Sequence, residues 1–226
     1  MASVLGLIPC RGGSKGIPRK NVREVAGEPL LAHTVRASLD ADHVDRTVVS
    51  TDDEEIKQAA LEAGADVPFD RPDELATDEA LVEPVVEHAV EWLREHEGEE
   101  FDTILLLQAT APLRTAEQVD EAVERYRERD ADSVVAVSEG DSYRWRETEA
   151  GAEIVNYDSR KRRQDKEPEY VESGAIYGVD AGRFLETGDL QAGTTTLSVL
   201  DQVSALDIDE PFELWMADKI LREWRQ

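Results

Sequence analysis

Lysine is nearly missing from this chain: six in 226 residues, at positions 15, 20, 57, 161, 166 and 219. With arginine the basic total reaches only 25, against 51 carboxylates, for a formal net charge of −26. A surface this acidic repels nucleic acid and anionic lipid, which excludes both as default partners. Carboxylate excess with so few lysines fits a halophile's interior, where salt screens the self-repulsion. Cysteine is missing apart from Cys10. No internal disulfide can form, and a reducing, cytoplasmic setting is expected. The four histidines, at 33, 43, 88 and 96, have no metal-ligand spacing. No apolar run approaches the ~20 residues that span a bilayer. No basic segment followed by an apolar one marks a signal peptide.

What is present is a regular alternation. Hydrophobic residues make up 40% of the chain, enough for a sizeable core. The length suits one α/β domain with a small insertion. Residues 3–9, Arg46–Ser50, Thr103–Leu107, Ser133–Val137 and Gly174–Val179 read as buried strands. Between them, Leu30–Leu39, Glu54–Ala63, Glu79–His96 and Ala116–Arg129 read as helices, and Pro211–Trp224 closes the chain as another. Continuous apolar strands alternating with amphipathic helices predict a parallel sheet covered on both faces. The rhythm breaks at 139–172, a polar, charged stretch that reads as an inserted arm on a single domain spanning 1–226.

The scarce cations are concentrated. Arg11, Lys15, Arg19, Lys20 and Arg23 lie within thirteen residues; Arg160, Lys161, Arg162, Arg163 and Lys166 lie within seven. The first cluster follows the opening strand in the loop Cys10-Arg11-Gly12-Gly13-Ser14-Lys15-Gly16-Ile17-Pro18-Arg19-Lys20-Asn21. Glycines let backbone N–H groups approach phosphate oxygens, and the cations offer the charge a triphosphate needs. This is not a Walker A loop, because Lys15 precedes Gly16 and Pro18 follows. It is not the dinucleotide fingerprint either, because Arg11 stands where the first glycine belongs.

Three further stretches carry chemistry. Leu105–Leu107 ends in Gln108-Ala109-Thr110-Ala111-Pro112-Leu113-Arg114, which puts an amide at a strand's carboxyl end, where open α/β sheets bind ligands. Asp207-Ile208-Asp209 puts two carboxylates on one face of an extended segment, able to share a hard cation such as Mg²⁺, although acids are common enough here for chance to make the same pattern. Arg162-Arg163-Gln164-Asp165, followed by Tyr170–Tyr177, brings arginine forks toward a last strand.

Together these segments resemble the acylneuraminate cytidylyltransferases, the CMP-sialic acid synthetases. The loop from Ile8 to Asn21 is close to that family's signature. Ser50-Thr51-Asp52-Asp53, Arg71–Asp78, Leu106–Arg114, Arg162–Asp165, Tyr170–Tyr177 and Asp207–Asp209 follow in family order. Kdo cytidylyltransferases look different in the first loop. Cys10 stands in place of the usual alanine, Leu81 and Val82 where serines often hold the nucleotide, and Ser173 where asparagine is common.

The resemblance implies a Rossmann-like three-layer sandwich with a mostly parallel sheet, of the nucleotide-diphospho-sugar transferase type. It implies transfer of CMP from CTP to the anomeric hydroxyl of a nonulosonic acid, with pyrophosphate released. Arg11, Gly12, Gly13, Ser14 and Lys15 would meet the triphosphate. Lys20, Asn21 and Arg71 would lie by the nucleotide, with Asn21 reading the cytosine. Gln108 and Tyr177 are sugar-side candidates. Asp207 and Asp209 would hold Mg²⁺, and Asp209 is a candidate for taking the proton. Arg163 would meet the sugar carboxylate or the leaving phosphate, reaching a neighbour's site across a homodimer built by the arm. The alternatives are a cytidylyltransferase for another acidic sugar (legionaminic, pseudaminic or Kdo-type) and a non-catalytic nucleotide-binding module.

Overall fold

The structure, a computed structural model, describes residues 2–140, 142–156, 162 and 165–224. β1 (Val4–Pro9) leads through the glycine loop to a short ribbon of β2 (Glu24–Val25) and β3 (Glu28–Pro29). There follow α1 (Leu30–Leu39), β4 (Arg46–Ser50), α2 (Glu54–Glu62), α3 (Val82–Trp92), β5 (Thr103–Leu107), α4 (Ala116–Glu128) and β6 (Ser133–Gly140). A hairpin of β7 (Trp145–Thr148) and β8 (Gly151–Ile154) precedes β9 (Glu169–Asp180), α5 (Ala181–Thr187), β10 (Thr195–Leu200) and α6 (Pro211–Glu223).

Six strands form one sheet in the order β10-β6-β9-β5-β1-β4. Strand β1 pairs in parallel with β4 and β5, and β10 in parallel with β6. The strand period of two sorts its side chains into two cores. Val4 and Ile8 of β1, with Leu105 and Leu107 of β5, meet Leu31, Val35, Ile56, Val119 and Val123 from α1, α2 and α4. Leu5 and Leu7, with Ile104 and Leu106, meet Val86, Ala89, Val90 and Phe184 from α3 and α5. Helices on both faces of a mostly parallel sheet make the expected three layers. Fully burying each such Leu or Ile stabilises the fold by roughly 1.5–3 kcal/mol.

Strand β9 is the antiparallel member of this mostly parallel sheet: it runs antiparallel to both β5 and β6. Among the described residues between β6 and β9 there is no crossover helix of the kind a parallel neighbour requires. Strand β9 also begins earlier than expected, because Glu139 and Gly140 at the end of β6 pair with Tyr170 and Glu169. The first and last residues of the expected arm therefore extend the sheet ladder. Helix α3 begins at Val82 rather than Glu79. Pro84 accounts for this: with no N–H to donate, it is tolerated in a first turn but not in a helix interior. Ala80 and Leu81 are left free to line a cavity. Several elements went unread in the sequence: the β2–β3 ribbon, the β7–β8 hairpin, the Thr-rich edge strand β10, and α5, which is capped by Asp180 accepting from Arg183 N at 2.8 Å.

The carboxyl ends of β1, β4 and β5 open on one edge of the sheet, and the glycine loop lies there. A third apolar cluster of Ile17, Val25, Leu30, Ile208 and Ala217 fastens α6 and the Asp207–Asp209 segment to that same edge.

Candidate functional site

Beyond β1 and β5 lies a cavity of about 270 Å³. Its wall includes Arg11, Gly13, Ser14, Lys20, Asn21 and Arg71, six of the eight residues expected on the nucleotide side, together with Gln108 and Thr110; the other two, Gly12 and Lys15, do not line it. Leu75, Ala80, Leu81, Val82 and Val85 form an apolar side. Leu81 and Val82 thus do face this cavity, offering apolar surface where a serine would offer a hydroxyl. Cys10 is fully buried nearby, and burial pushes its thiol up to about 12, so it is inert.

The loop's cations divide into separate tasks. Arg11 donates to Thr77 O at 2.8 Å and pairs with Asp78 at 2.8 Å; exposed Lys15 meets the same carboxylate at 3.3 Å. Asp78 therefore sits against both expected phosphate cations. Asp52 accepts from the Gly12 amide at 2.9 Å, so that N–H is also engaged by a carboxylate. Arg19, read from the sequence as a fourth phosphate cation, is turned away. Its backbone is left-handed, with φ 59°, and its guanidinium is clamped by Asp53 and Glu55. Lys20 points across to the acidic pair, donating to Ile208 O at 2.6 Å and meeting Asp209 at 3.2 Å. Asn21 donates to Arg11 O at 3.0 Å and so braces the loop from beneath. Arg71 is buried, with Nε on Ser50 Oγ at 3.1 Å, and burial lowers its pKa. It ties β4 to the cavity floor while still lining it.

Asp207 and Asp209 are brought to this edge because Ile208 between them is fully buried. The Ile208 amide donates to Thr110 O at 2.8 Å, which joins the segment to the Gln108 loop. Gly16 packs against it from the other side: a Cβ there would lie 2.2 Å from Asp209 O, so no other residue fits. Asp207 Oδ1 is buried without a hydrogen-bond partner. Burial raises the Asp207 pKa; the Thr110 hydroxyl opposes that rise and the neighbouring Asp209 charge adds to it. An orphaned carboxylate oxygen beside a second carboxylate suits a hard cation that keeps most of its own water. Asp209 is exposed and would have to share its oxygen with Lys20. Among the described residues no group of three or more His, Cys, Asp or Glu could hold a metal, so the pair stands alone.

A second cavity, about 320 Å³, adjoins the first and is lined by Val82, Glu83, Gln108, Glu172, Tyr177, Asp189, Leu190 and Gln191. The two sugar-side candidates, Gln108 and Tyr177, meet here. Tyr177 donates to Glu172 at 2.5 Å, and burial together with that carboxylate raises its pKa. Val82 and Gln108 belong to both cavities. The contact is made possible by a bulge in β9: the register with β6 slips between Val135 and Val137, and Gly174 adopts φ +71°. A Cβ at Gly174 would stand 3.2 Å from Gln108 Oε1 and 3.8 Å from Asp207 Oδ2, which places these groups around one point.

Arg163 lies outside the described residues. Of its neighbours, Arg162 pairs with Asp165 at 2.7 Å, and Lys166 lies 3.7 Å from the Tyr143 ring centre. Reading the sequence missed the roles of Asp52, Asp78, Thr110 and Arg114. All four stood inside the motifs but were given no task, since a contact between residues tens of positions apart has no local signature.

Relatives of known name resemble the chain over nearly its whole length. N-acylneuraminate cytidylyltransferase A of Danio rerio is 35% identical over 97% of this chain and 51% of its own length, so the chain spans about half of that relative. CMP-N,N'-diacetyllegionaminic acid synthase of Legionella pneumophila is 33% identical, with 96% of each chain covered. Pseudaminic acid cytidylyltransferase of Campylobacter jejuni is 32% identical over 96% of this chain and 95% of its own. Among solved structures, CMP:2-keto-3-deoxy-manno-octonic acid synthetase complexed with CTP shares the fold, with a TM-score of 0.70 at 16% identity over 97% of this chain and 98% of that one. A 4-diphosphocytidyl-2C-methyl-D-erythritol synthase shares it at 0.71, with 16% identity over 98% and 100%. The glycine loop and the Gln108–Arg114 loop, which build the two cavity walls, both lie within residues 5–186, the span matched by the family described as Cytidylyltransferase, and the chain belongs to that family.

Proposed function

We propose that the chain transfers CMP from CTP to the anomeric hydroxyl of a nonulosonic acid. The observation that carries this reading is the pair of cavities meeting at Gln108, one beneath the cationic glycine loop and one against Tyr177. A nucleotide in the first and a sugar in the second would bring α-phosphorus and hydroxyl together at their junction. The hydroxyl oxygen forms a bond to α-phosphorus and gives up its proton, for which Asp209 is the candidate acceptor. The bond to the bridging oxygen breaks, and pyrophosphate leaves with the electron pair. Such transfer depends on positioning and on stabilising charge, which this chain's residues are suited to supply.

In this reading Arg11, Ser14 and Lys15 hold the triphosphate, with Asp78 giving way to it. Asn21 and Arg71 support the base and ribose end, and Gln108 orients the attacking hydroxyl. Asp207 and Asp209 would hold Mg²⁺, which when bound lowers the pKa of a coordinated hydroxyl and offsets phosphate charge. Lys20 keeps Asp209 in place from the loop side. The acceptor cavity is lined by Glu83, Glu172 and Asp189. It therefore favours hydroxyl and other donor groups of a sugar, and requires the sugar's carboxylate to face elsewhere. Arg163 is the candidate partner for that carboxylate.

The arm suits a homodimer. Both strands of the β7–β8 hairpin are exposed along their whole length, as are Trp145, Ile154, Val155, Tyr170 and Val171. A two-stranded hairpin is marginal in water by itself, and a partner subunit would cover these side chains.

The test is pyrophosphate release from CTP, with and without Mg²⁺, against a panel of neuraminic, legionaminic, pseudaminic and Kdo-type acids. Metal-dependent release with one of the first three supports the reading. Release with Kdo alone reassigns the sugar. Nucleotide binding with no release for any acceptor would make the chain a binding module.

A further inference from the structure

Arg114 is the most deeply buried charge at this edge of the sheet, and no carboxylate pairs with it among the described residues. It is 3% exposed, and its Nε has no hydrogen-bond partner. An unpaired guanidinium is costly to bury, so its remaining donors must be well used. They go to three separate segments. Nη1 donates to Ala175 O in the bulged part of β9. Nη2 donates to Thr34 Oγ1 of α1 at 2.6 Å and to Gln108 O at 2.9 Å.

Each of those carbonyls adjoins a group at the cavity junction. Gln108 itself lines both cavities, and Ala175 follows Gly174, the residue that approaches Gln108 and Asp207. From Gln108 the connection continues two residues on to Thr110, whose carbonyl takes the Ile208 amide between the two aspartates. A planar fork with fixed donor angles sets the spacing of two carbonyls in a way that a flexible ammonium cannot.

We propose that Arg114 is a positioning residue of the transfer site: by holding the Gln108 and Ala175 carbonyls at a fixed separation it sets the placement of Gln108 and, through Thr110, of the Asp207–Asp209 pair. This rests on the reading of the two cavities as nucleotide and acceptor halves. A residue of this kind touches no substrate. Its loss should spare nucleotide binding and damage what happens at the junction.

Arg114→Lys and Arg114→Gln test it, each corrected for its folded fraction by circular dichroism, with Mn²⁺ binding followed by electron paramagnetic resonance in the presence of CTP. Arg114→Lys should bind CTP within about threefold of wild type. Its kcat should fall at least tenfold, and its Mn²⁺ affinity severalfold. Arg114→Gln should lose more of both, so that the lysine form counts as partial rescue. If Arg114→Lys folds and keeps wild-type kcat and Mn²⁺ affinity, with a lower melting temperature as its only change, Arg114 is scaffold and the proposal is wrong. If wild type itself releases no pyrophosphate from CTP, the proposed reaction falls, while the Mn²⁺ comparison still decides the role of Arg114.

Discussion

At the scale of single residues, the cations and an amide of the glycine loop are already met by the protein's own carboxylates. Asp78 lies against Arg11 and Lys15, and Asp52 takes the Gly12 amide. On the proposed reading, a triphosphate would have to displace Asp78 to reach the two cations. Exposed ion pairs of this kind are worth roughly 0.2–1 kcal/mol each. Asp78→Asn should therefore tighten CTP binding by about two- to fivefold, read by calorimetric titration, and flatten its salt dependence. Weaker binding in Asp78→Asn would instead make Asp78 a ligand contact. Asp207→Asn addresses the metal. With its orphaned oxygen and its neighbour Asp209, Asp207 has no other evident use. The variant should fold normally and lose turnover by orders of magnitude, with the Mg²⁺ requirement moved to higher concentration. Wild-type turnover at low Mg²⁺ would sink the assignment.

At the scale of elements, α2 shows how structural and functional demands share one residue. Asp53 caps the helix, accepting from Glu55 N and Ile56 N at 3.0 Å each, and also clamps Arg19. The Arg19 guanidinium, helped by the two amides, holds the Asp53 carboxyl below the usual carboxylate range. A depressed folded-state pKa stabilises the protein at pH above the unfolded value, ~3.9, and that contribution is lost as pH falls through the folded value. Asp53→Ala should cost about 1 kcal/mol at pH 7, lowering Tm by ~2–4 °C. In acid the wild-type advantage should shrink and then vanish. A difference in Tm that stays constant from pH 7 to pH 3 would contradict the capping account. Because Arg19 anchors the end of the glycine loop, the same variant should also raise the KM for CTP modestly.

At the scale of the whole molecule, charge dominates. A net charge of −26 spread over most helix faces is self-repelling, and salt decides how far that repulsion reaches. The screening length is about 30 Å at 0.01 M and about 3 Å at 1 M. The fold should lose stability in low KCl and recover it near molar KCl, as followed by circular dichroism; equal stability at both ends would refute this. The arm raises a second question at this scale. If Arg163 serves the neighbouring subunit, inactive Arg163→Ala and inactive Asp209→Asn subunits, dissociated and mixed, should partly recover activity, since each mixed dimer holds one site with both residues intact. Heterodimers that form and remain dead would place Arg163 in its own subunit's site.

The alternating apolar periods already determine five of the six strands of the main sheet, most of the helices and the three-layer arrangement, because burial on two sheet faces is written in spacing of two and of about 3.6. The glycine loop, Gln108 and the aspartate pair were legible for a similar reason: each is a local cluster at a strand end or in one extended segment. The direction of β9 was not legible, because pairing depends on where the arm returns rather than on the residues of the strand. The division of labour among the loop cations was hidden too. Arg11, Lys15, Arg19 and Lys20 look alike in sequence, yet Asp78, Asp53 and Asp209 reach them from 34 to 189 positions away. Arg114 read as the end of a motif. Only the folded chain, by setting α1, β9 and the Gln108 loop around one guanidinium, turns it into the point where both halves of the site are held, since a buried donor must take whatever acceptors tertiary packing brings to it.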